Sequence, residues 1–156
     1  MFSKNRLTKE QALEKIKYYC SYQERCHSEI KDKLYSYGLG KKEAEEIIAE
    51  MIENNYLNEE RFAVQFAGGK FRMKQWGRKK IQYELQQKGV NDFIIQIALK
   101  EIDEEEYLET LQKLAQTKWN ALNVENNLLR QSKTNAWLLQ KGYEQRLISQ
   151  VIHGMR

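Results

Sequence analysis

The sequence predicts an all-α protein built as a tandem array of three three-helix repeats, and three observations lead to this prediction. The 156 residues include no proline and only eight glycines, a composition that favours helices joined by short loops over a turn-rich β structure. Hydrophobic residues make up 41% and charged residues 31% of the chain, which is typical of a folded protein. The third observation is an internal repeat. Because small repeats bury their apolar faces against neighbours along the chain, we expect an elongated array that can curve.

The repeat is marked by three glycines at similar positions, Gly38, Gly89 and Gly142, which are 51 and 53 residues apart. A leucine lies four residues before each glycine, and four apolar residues follow it at the 3, 1, 3 spacing of one helix face. These twelve residues are Ala44, Ile47, Ile48 and Met51, then Ile95, Ala98, Leu99 and Ile102, then Ile148, Val151, Ile152 and Met155. We therefore divide the chain into repeats at 1–56, 57–102 and 103–156.

In the first repeat, Thr8 and Gln11 have the spacing of a capping box, which predicts the start of the first helix. Cys26 stands where the second helix should begin, and we interpret it as a capping position. Gly38 should end that helix, because glycine adopts the left-handed conformation without steric cost. The three helices are expected at about 8–22, 26–37 and 41–54.

In the second repeat, Asn58 and Asn91 are predicted N-caps of the first and third helices, and Gly77 marks the start of the second. That second helix should end near Gly89, and the third near residue 102. Gly68 and Gly69 interrupt the first helix, where each glycine costs about 1 kcal/mol relative to alanine. We interpret the pair as a bend or weak point at which another backbone approaches.

An acidic run over residues 101–109 spans the boundary between the second and third repeats, and carboxylates are favoured at the positive end of a helix dipole. A long helix is therefore predicted from about 104 to 122. A looser stretch at 123–127 should separate it from a helix that reaches residue 141 and a last one that ends near residue 153.

The net charge of +4 lies entirely in the middle of the chain, where residues 58–102 contain nine basic and five acidic side chains. The basic stripe consists of Lys70, Arg72, Lys74, Arg78, Lys79, Lys80 and Lys88, and it includes Trp76. Clustered lysine and arginine beside aromatic rings indicate a polyanionic partner. Trp76 is expected either to stack on that partner or to pack at a helix junction.

No residue set in the sequence predicts catalysis, a cofactor or a metal site. Cys20 and Cys26 are separated by five residues, which does not match the knuckle spacing of a structural zinc site. The glycine pairs do not form a phosphate-binding motif. An enzyme that uses the acidic run and His153 is the least favoured hypothesis.

The sequence also predicts where the protein works. No apolar run approaches the roughly 18 residues of a membrane span. The first residues lack the apolar stretch of a secretory signal. We therefore expect a cytoplasmic protein without a membrane partner.

The middle repeat resembles the RecX family, the bacterial regulators of the RecA recombinase. Its matching residues are Leu57, Asn58, Glu59, Arg61, Phe62 and Ala63, then Phe66, Arg72, Gly77, Lys80 and Ile81, then Glu84, Leu85, Lys88, Gly89 and Val90. The length and the three repeats agree with that family as well. The one exchange within the motif is Asn58, where aspartate is usual, and asparagine keeps the capping role.

The resemblance implies a non-enzymatic, monomeric modulator that binds the RecA–single-stranded DNA filament, lies along its groove and restrains recombinase and co-protease activity. It would thereby regulate DNA repair and the SOS response, with the basic stripe and Trp76 contacting phosphates or acidic RecA side chains. Two alternatives remain from the residues themselves: a DNA-binding helical module that acts without RecA, and a protein scaffold that binds no nucleic acid.

Overall fold

The computed structural model describes residues 6–155, and in this part of the chain it contains nine helices and no strand. The helices are α1 (Lys9–Tyr22), α2 (His27–Ser36), α3 (Lys41–Glu53), α4 (Glu59–Lys74), α5 (Arg78–Gln87), α6 (Asp92–Lys100), α7 (Glu104–Ala121), α8 (Asn127–Lys141) and α9 (Gln145–His153). The predicted all-α class and the order of three helices per repeat are confirmed.

The predicted capping residues hold the starts of the helices. Thr8 Oγ1 accepts the Gln11 amide at 3.1 Å, and the Gln11 side chain accepts the Thr8 amide at 3.0 Å. Asn58 and Asn91 each accept the amide three residues further on, both at 2.9 Å. Each cap satisfies an amide that has no partner inside its own helix.

The three repeat glycines end α2, α5 and α8 in the left-handed region, with φ of 89° at Gly38, 83° at Gly89 and 102° at Gly142. The residue after each glycine donates its amide back to the carbonyl of the repeat leucine, at 3.1 to 3.4 Å. All three leucines, Leu34, Leu85 and Leu138, are fully buried. The glycine and the leucine of the repeat are therefore the two halves of one helix-ending turn.

Gly68 and Gly69 lie within α4, which runs without interruption from Glu59 to Lys74. A Cβ at Gly69 would meet nothing within 4 Å, and the nearest atoms to one at Gly68 belong to the guanidinium of Arg72, at 2.7 Å. The expectation that another backbone approaches here is wrong. The close backbone approach occurs instead at Gly77.

The chain divides into two compact units. The first unit holds the residues up to Gln65 together with Leu85–Ile95, and the second unit holds Phe66–Glu84 together with the residues from Gln96 onward. The first has a core of Ala12, Ile16, Ile30, Leu34, Leu39, Ala44, Ile47, Met51 and Leu57. Buried residues of the second include Phe71, Ile81, Tyr107, Leu111, Trp119, Leu138, Tyr143 and Ile148.

Both units join the start of one helix to the glycine turn of another. In the second unit, the Gly77 and Lys79 amides donate to the carbonyls of Lys141 and Gly142 at 2.8 and 2.9 Å. In the first unit, Ser28 Oγ at the start of α2 donates to the Lys88 carbonyl at 2.9 Å. Carbonyls at the glycine turns, which lack partners within their own helices, thus accept hydrogen bonds from the start of another helix.

Candidate nucleic-acid interface

Trp76 lies in the second unit with a lysine on either side. Its ring is half-buried and packs edge-on against Phe66, with centroids 6.4 Å apart. The ammonium groups of Lys70 and Lys80 lie 5.2 and 4.8 Å from the centre of the ring. Trp76 therefore packs at a helix junction and keeps part of its ring open to a ligand.

Three further cations of the basic stripe are exposed. Arg72 and Lys74 are in the last turn of α4, and Lys79 is in the first turn of α5. The Arg72 guanidinium lies over Gly68, where a methyl group would displace it. These three charges remain accessible to a polyanion.

Arg78 is engaged within the second unit. Its guanidinium binds the carboxylates of Glu144, at 2.8 Å, and Glu104, and it lies 3.8 Å from the centre of the Tyr107 ring. Only 20% of its side chain is exposed. Two carboxylates already compensate this charge.

Lys88 belongs to the first unit, whereas the rest of the basic stripe belongs to the second. Its ammonium group lies 3.6 Å from the carboxylate of Glu29, and its carbonyl accepts the Ser28 hydroxyl. Its assignment to the interface stays a prediction.

A second tryptophan, which the sequence analysis did not select, has similar surroundings. The half-buried ring of Trp137 lies 5.3 Å from the ammonium group of Lys118 and 5.4 Å from that of Lys141. A Cβ at Gly142 would lie 2.4 Å from the Lys80 Cβ, so Lys80 lies beside the end of α8, where Lys141 is. Burial lowers the pKa of Lys141, and the positive charge of Lys80 lowers it further.

These residues form what we call the basic track of the second unit: Lys70, Trp76, Lys80, Lys141, Trp137 and Lys118. Helices α4, α5, α7 and α8 and the segment before α5 supply them, so no local run of basic residues marks the whole set. The internal repeat is the one sequence feature that could have indicated Lys141, because Lys141 precedes Gly142 as Lys88 precedes Gly89.

The basic track combines the two features that single-stranded nucleic acid requires. Ammonium groups neutralise phosphates, and aromatic rings offer faces on which bases of any sequence stack. In the basic track, each tryptophan ring lies between two lysine ammonium groups and is partly exposed to solvent.

The acidic run contributes a helix cap, and the two cysteines are partly or fully buried. Asp103 accepts the Glu106 amide at 2.9 Å, so the acidic run caps α7 as predicted. Burial raises the pKa of the Cys20 thiol to about 11 and also raises that of Cys26, which keeps both thiols protonated. In residues 6–155 no three His, Cys, Asp or Glu side chains gather as metal ligands. None of the described helices is long and apolar enough to cross a membrane.

Two family models match the chain, and together they cover more than half of it. Residues 58–99 match the second three-helix domain of RecX, and residues 104–152 match the third three-helix domain of RecX.

Two curated proteins are similar to this chain over a longer stretch than either family model covers. The Regulatory protein RecX of Bacillus cereus (strain G9842) is 29% identical over 130 residues, covering 83% of this chain and 48% of that protein. The Regulatory protein RecX of Clostridium tetani is 32% identical over 117 residues, covering 74% of this chain and 53% of that protein. The chain thus spans about half the length of the curated relatives it matches. The crystal structure of RecX from Lactobacillus salivarius superposes with a TM-score of 0.86 at 26% identity, covering 94% of this chain and 95% of that one.

Proposed function

The chain belongs to the RecX family of regulatory proteins, and from this premise we propose that it is a non-enzymatic modulator of RecA. In this proposal it binds the RecA–single-stranded DNA filament as a monomer in the cytoplasm. Binding restrains recombinase and co-protease activity and so regulates DNA repair and the SOS response.

The observation that supports this proposal is the basic track. A filament built on single-stranded DNA offers phosphates and bases, which are the groups that ammonium ions and partly exposed indole rings bind. Exposed Arg72, Lys74 and Lys79 add charge in the second unit. Arg78 is left out of the proposed contact set, because Glu104 and Glu144 already bind it.

The test reverses the three exposed charges in the variant Arg72→Glu, Lys74→Glu, Lys79→Glu. Like charges brought together at an interface cost several kcal/mol, so we expect inhibition of RecA strand exchange and ATP hydrolysis to be lost. The matched control, Lys31→Glu, Lys42→Glu, Lys113→Glu, makes the same change in net charge at exposed lysines that belong neither to the basic track nor to the basic stripe, and it should inhibit normally. If the first variant melts like the parent and still inhibits RecA fully, the site assignment is wrong.

A DNA-binding module that acts without RecA is the second candidate, because the basic track needs no protein partner to bind a strand. Filter binding of single-stranded DNA with and without RecA separates the two functions. Tight binding to DNA alone, with no change when RecA is present, would favour the second candidate.

A further inference from the structure

A cleft of about 580 Å³ lies on the first unit, outside the residues considered so far. Helix α1 lines it with Tyr18, Tyr19 and Tyr22, and the residue that follows α2 adds Tyr37. Four tyrosines in one open cleft provide a large aromatic surface. This surface lies in a repeat whose overall charge is neutral, so composition does not reveal it.

Cations alternate with two of these rings. The guanidinium of Arg25 lies 3.7 Å from the centre of the Tyr19 ring, and the ammonium group of Lys33 lies 5.2 Å from that ring and 6.0 Å from the Tyr37 ring. Lys15 continues the series at 5.9 Å from Tyr37. This alternation of cation and aromatic ring repeats the arrangement of the basic track.

The other two tyrosines present open ring faces. Tyr18 and Tyr22 are one helical turn apart and meet edge to face, with centroids 6.4 Å apart. They are 70% and 76% exposed, among the highest values for large hydrophobic residues in the described chain. Arg25 stacks on the Tyr19 ring and donates to the Tyr19 carbonyl at 3.1 Å, so Tyr19 already has a cation on its ring, whereas Tyr18 and Tyr22 are largely exposed to solvent.

We propose that this cleft is a second binding site for single-stranded polynucleotide, in which Tyr18 and Tyr22 stack on bases while Lys15 and Lys33 contact the adjoining phosphates. The proposal rests on the proposed function, since it gives the same class of ligand a second contact in the first unit. Charge decides between this ligand and a protein segment. Three cations and a single carboxylate, Glu14, line the cleft, which matches a polyanion carrying flat apolar rings.

Photo-crosslinking of the full chain with a thymidine oligonucleotide containing 5-iodouracil tests the site directly. Excitation of iodouracil couples it to an aromatic ring stacked on it, and mass spectrometry then locates the coupled residue. We expect coupled peptides that contain Tyr18 or Tyr22, whether or not the basic track also couples. Absence of coupling anywhere in residues 14–37 would overturn the proposal.

Affinity for the same fluorescein-labelled oligonucleotide gives the second readout. Stacking is worth about 1–3 kcal/mol per base, so the Tyr18→Ala, Tyr22→Ala variant should bind at least roughly five-fold more weakly. The Tyr18→Phe, Tyr22→Phe variant keeps both rings and should bind like the parent. Tyr35→Ala removes an exposed ring of the same unit outside the cleft and should have no effect.

Two lysine variants in α2 test the role of charge in the cleft. Lys33→Gln should weaken oligonucleotide binding and reduce its salt dependence, whereas Lys31→Gln, an exposed lysine of the same helix outside the cleft, should do neither. If the ring and charge variants bind the oligonucleotide like the parent but lose binding to RecA without DNA, the cleft binds protein and the proposal fails. Trp76→Ala, Trp137→Ala tests the basic track separately, so failure of one site is distinguishable from failure of the other.

Discussion

At the scale of single residues, Tyr107 shows how the second unit uses a buried polar group. Its ring is fully buried. Its hydroxyl accepts a hydrogen bond from the Arg78 backbone amide at 2.9 Å and donates one to the Glu144 carboxylate. The Arg78 guanidinium stacks on the same ring and binds the same carboxylate. A buried hydroxyl and two partly buried charges are tolerated because each of them is paired.

The pKa of Glu144 reports on this arrangement. Burial raises it, but hydrogen bonds from Tyr107 and Arg78 outweigh burial, and the pKa falls below the ordinary value of 4.5. A carboxylate whose pKa is lowered by folding stabilises the folded protein at pH values above its ordinary pKa of 4.5. The stabilisation is lost as the pH falls through the pKa of the folded state.

We therefore predict that Glu144→Gln lowers the free energy of unfolding by roughly 1–3 kcal/mol at neutral pH, since charged hydrogen bonds are lost. Below pH 4.5 the difference from the parent should shrink, because the parent carboxyl becomes protonated and resembles the amide. Urea denaturation across this pH range measures both. A difference that stays constant with pH would show that the charge of Glu144 is not what stabilises the unit.

At the scale of helices, the contact between Gly77 and Gly142 determines how α5 meets α8. A Cβ at Gly77 would lie 2.3 Å from the Gly142 carbonyl carbon, and one at Gly142 would lie 2.4 Å from the Lys80 Cβ. Only two glycines let these backbones come close enough for the amide–carbonyl bonds described above. The same contact places Lys80 beside the end of α8, where Lys141 is.

Replacing Gly77 by alanine should force these backbones apart. We predict a loss of roughly 1–3 kcal/mol, the usual cost of overpacking, and weaker binding of single-stranded DNA because the two halves of the basic track separate. Thermal melting and oligonucleotide binding are the measurements. Normal stability and binding would mean that the helix ends adjust freely.

Gly69→Ala is the contrasting change, in a helix where a methyl group meets nothing within 4 Å. Alanine is the better helix former by about 1 kcal/mol, so this variant should be more stable than the parent. A lower melting temperature would indicate that the glycine pair in α4 has a structural role that its surroundings do not reveal.

At the scale of the whole molecule, periodic features were predictable and assembled ones were not. Asn58, Asn91 and the three repeat glycines act locally, so their roles could be inferred from neighbouring residues. The two carboxylates that bind Arg78 lie far from it in the sequence, because Glu104 begins α7 and Glu144 precedes α9, and no local pattern pairs them with Arg78. Lys118, Trp137 and Lys141 were not predicted for the same reason, because they come from α7 and α8 and are brought together only by folding. Trp76, Lys70 and Lys80 were predicted because they lie within one basic run of the sequence.

The last prediction concerns the salt dependence of binding to single-stranded DNA, which counts the cations that neutralise phosphates. Arg78 is excluded and Lys88 belongs to the first unit, so the second unit contributes seven cations to the proposed interface: Lys70, Arg72, Lys74, Lys79, Lys80, Lys118 and Lys141. Each neutralised phosphate contributes about 0.7 to the slope of log affinity against log salt, so these seven cations contribute no more than about −5 to the slope.

Lys80 and Lys141 are the informative pair within this set, because burial and then the positive charge of Lys80 lower the pKa of Lys141, and a phosphate between the two lysines would favour the charged form. Lys80→Gln, Lys141→Gln should therefore reduce the magnitude of the slope by about 1.4, two phosphates at about 0.7 each. Lys113→Gln, an exposed lysine outside the track, should leave the slope unchanged. Filter binding over a range of sodium chloride concentrations measures all three slopes. If the double variant keeps the parent slope, phosphates do not pass between α5 and α8, and the basic track does not act as one surface.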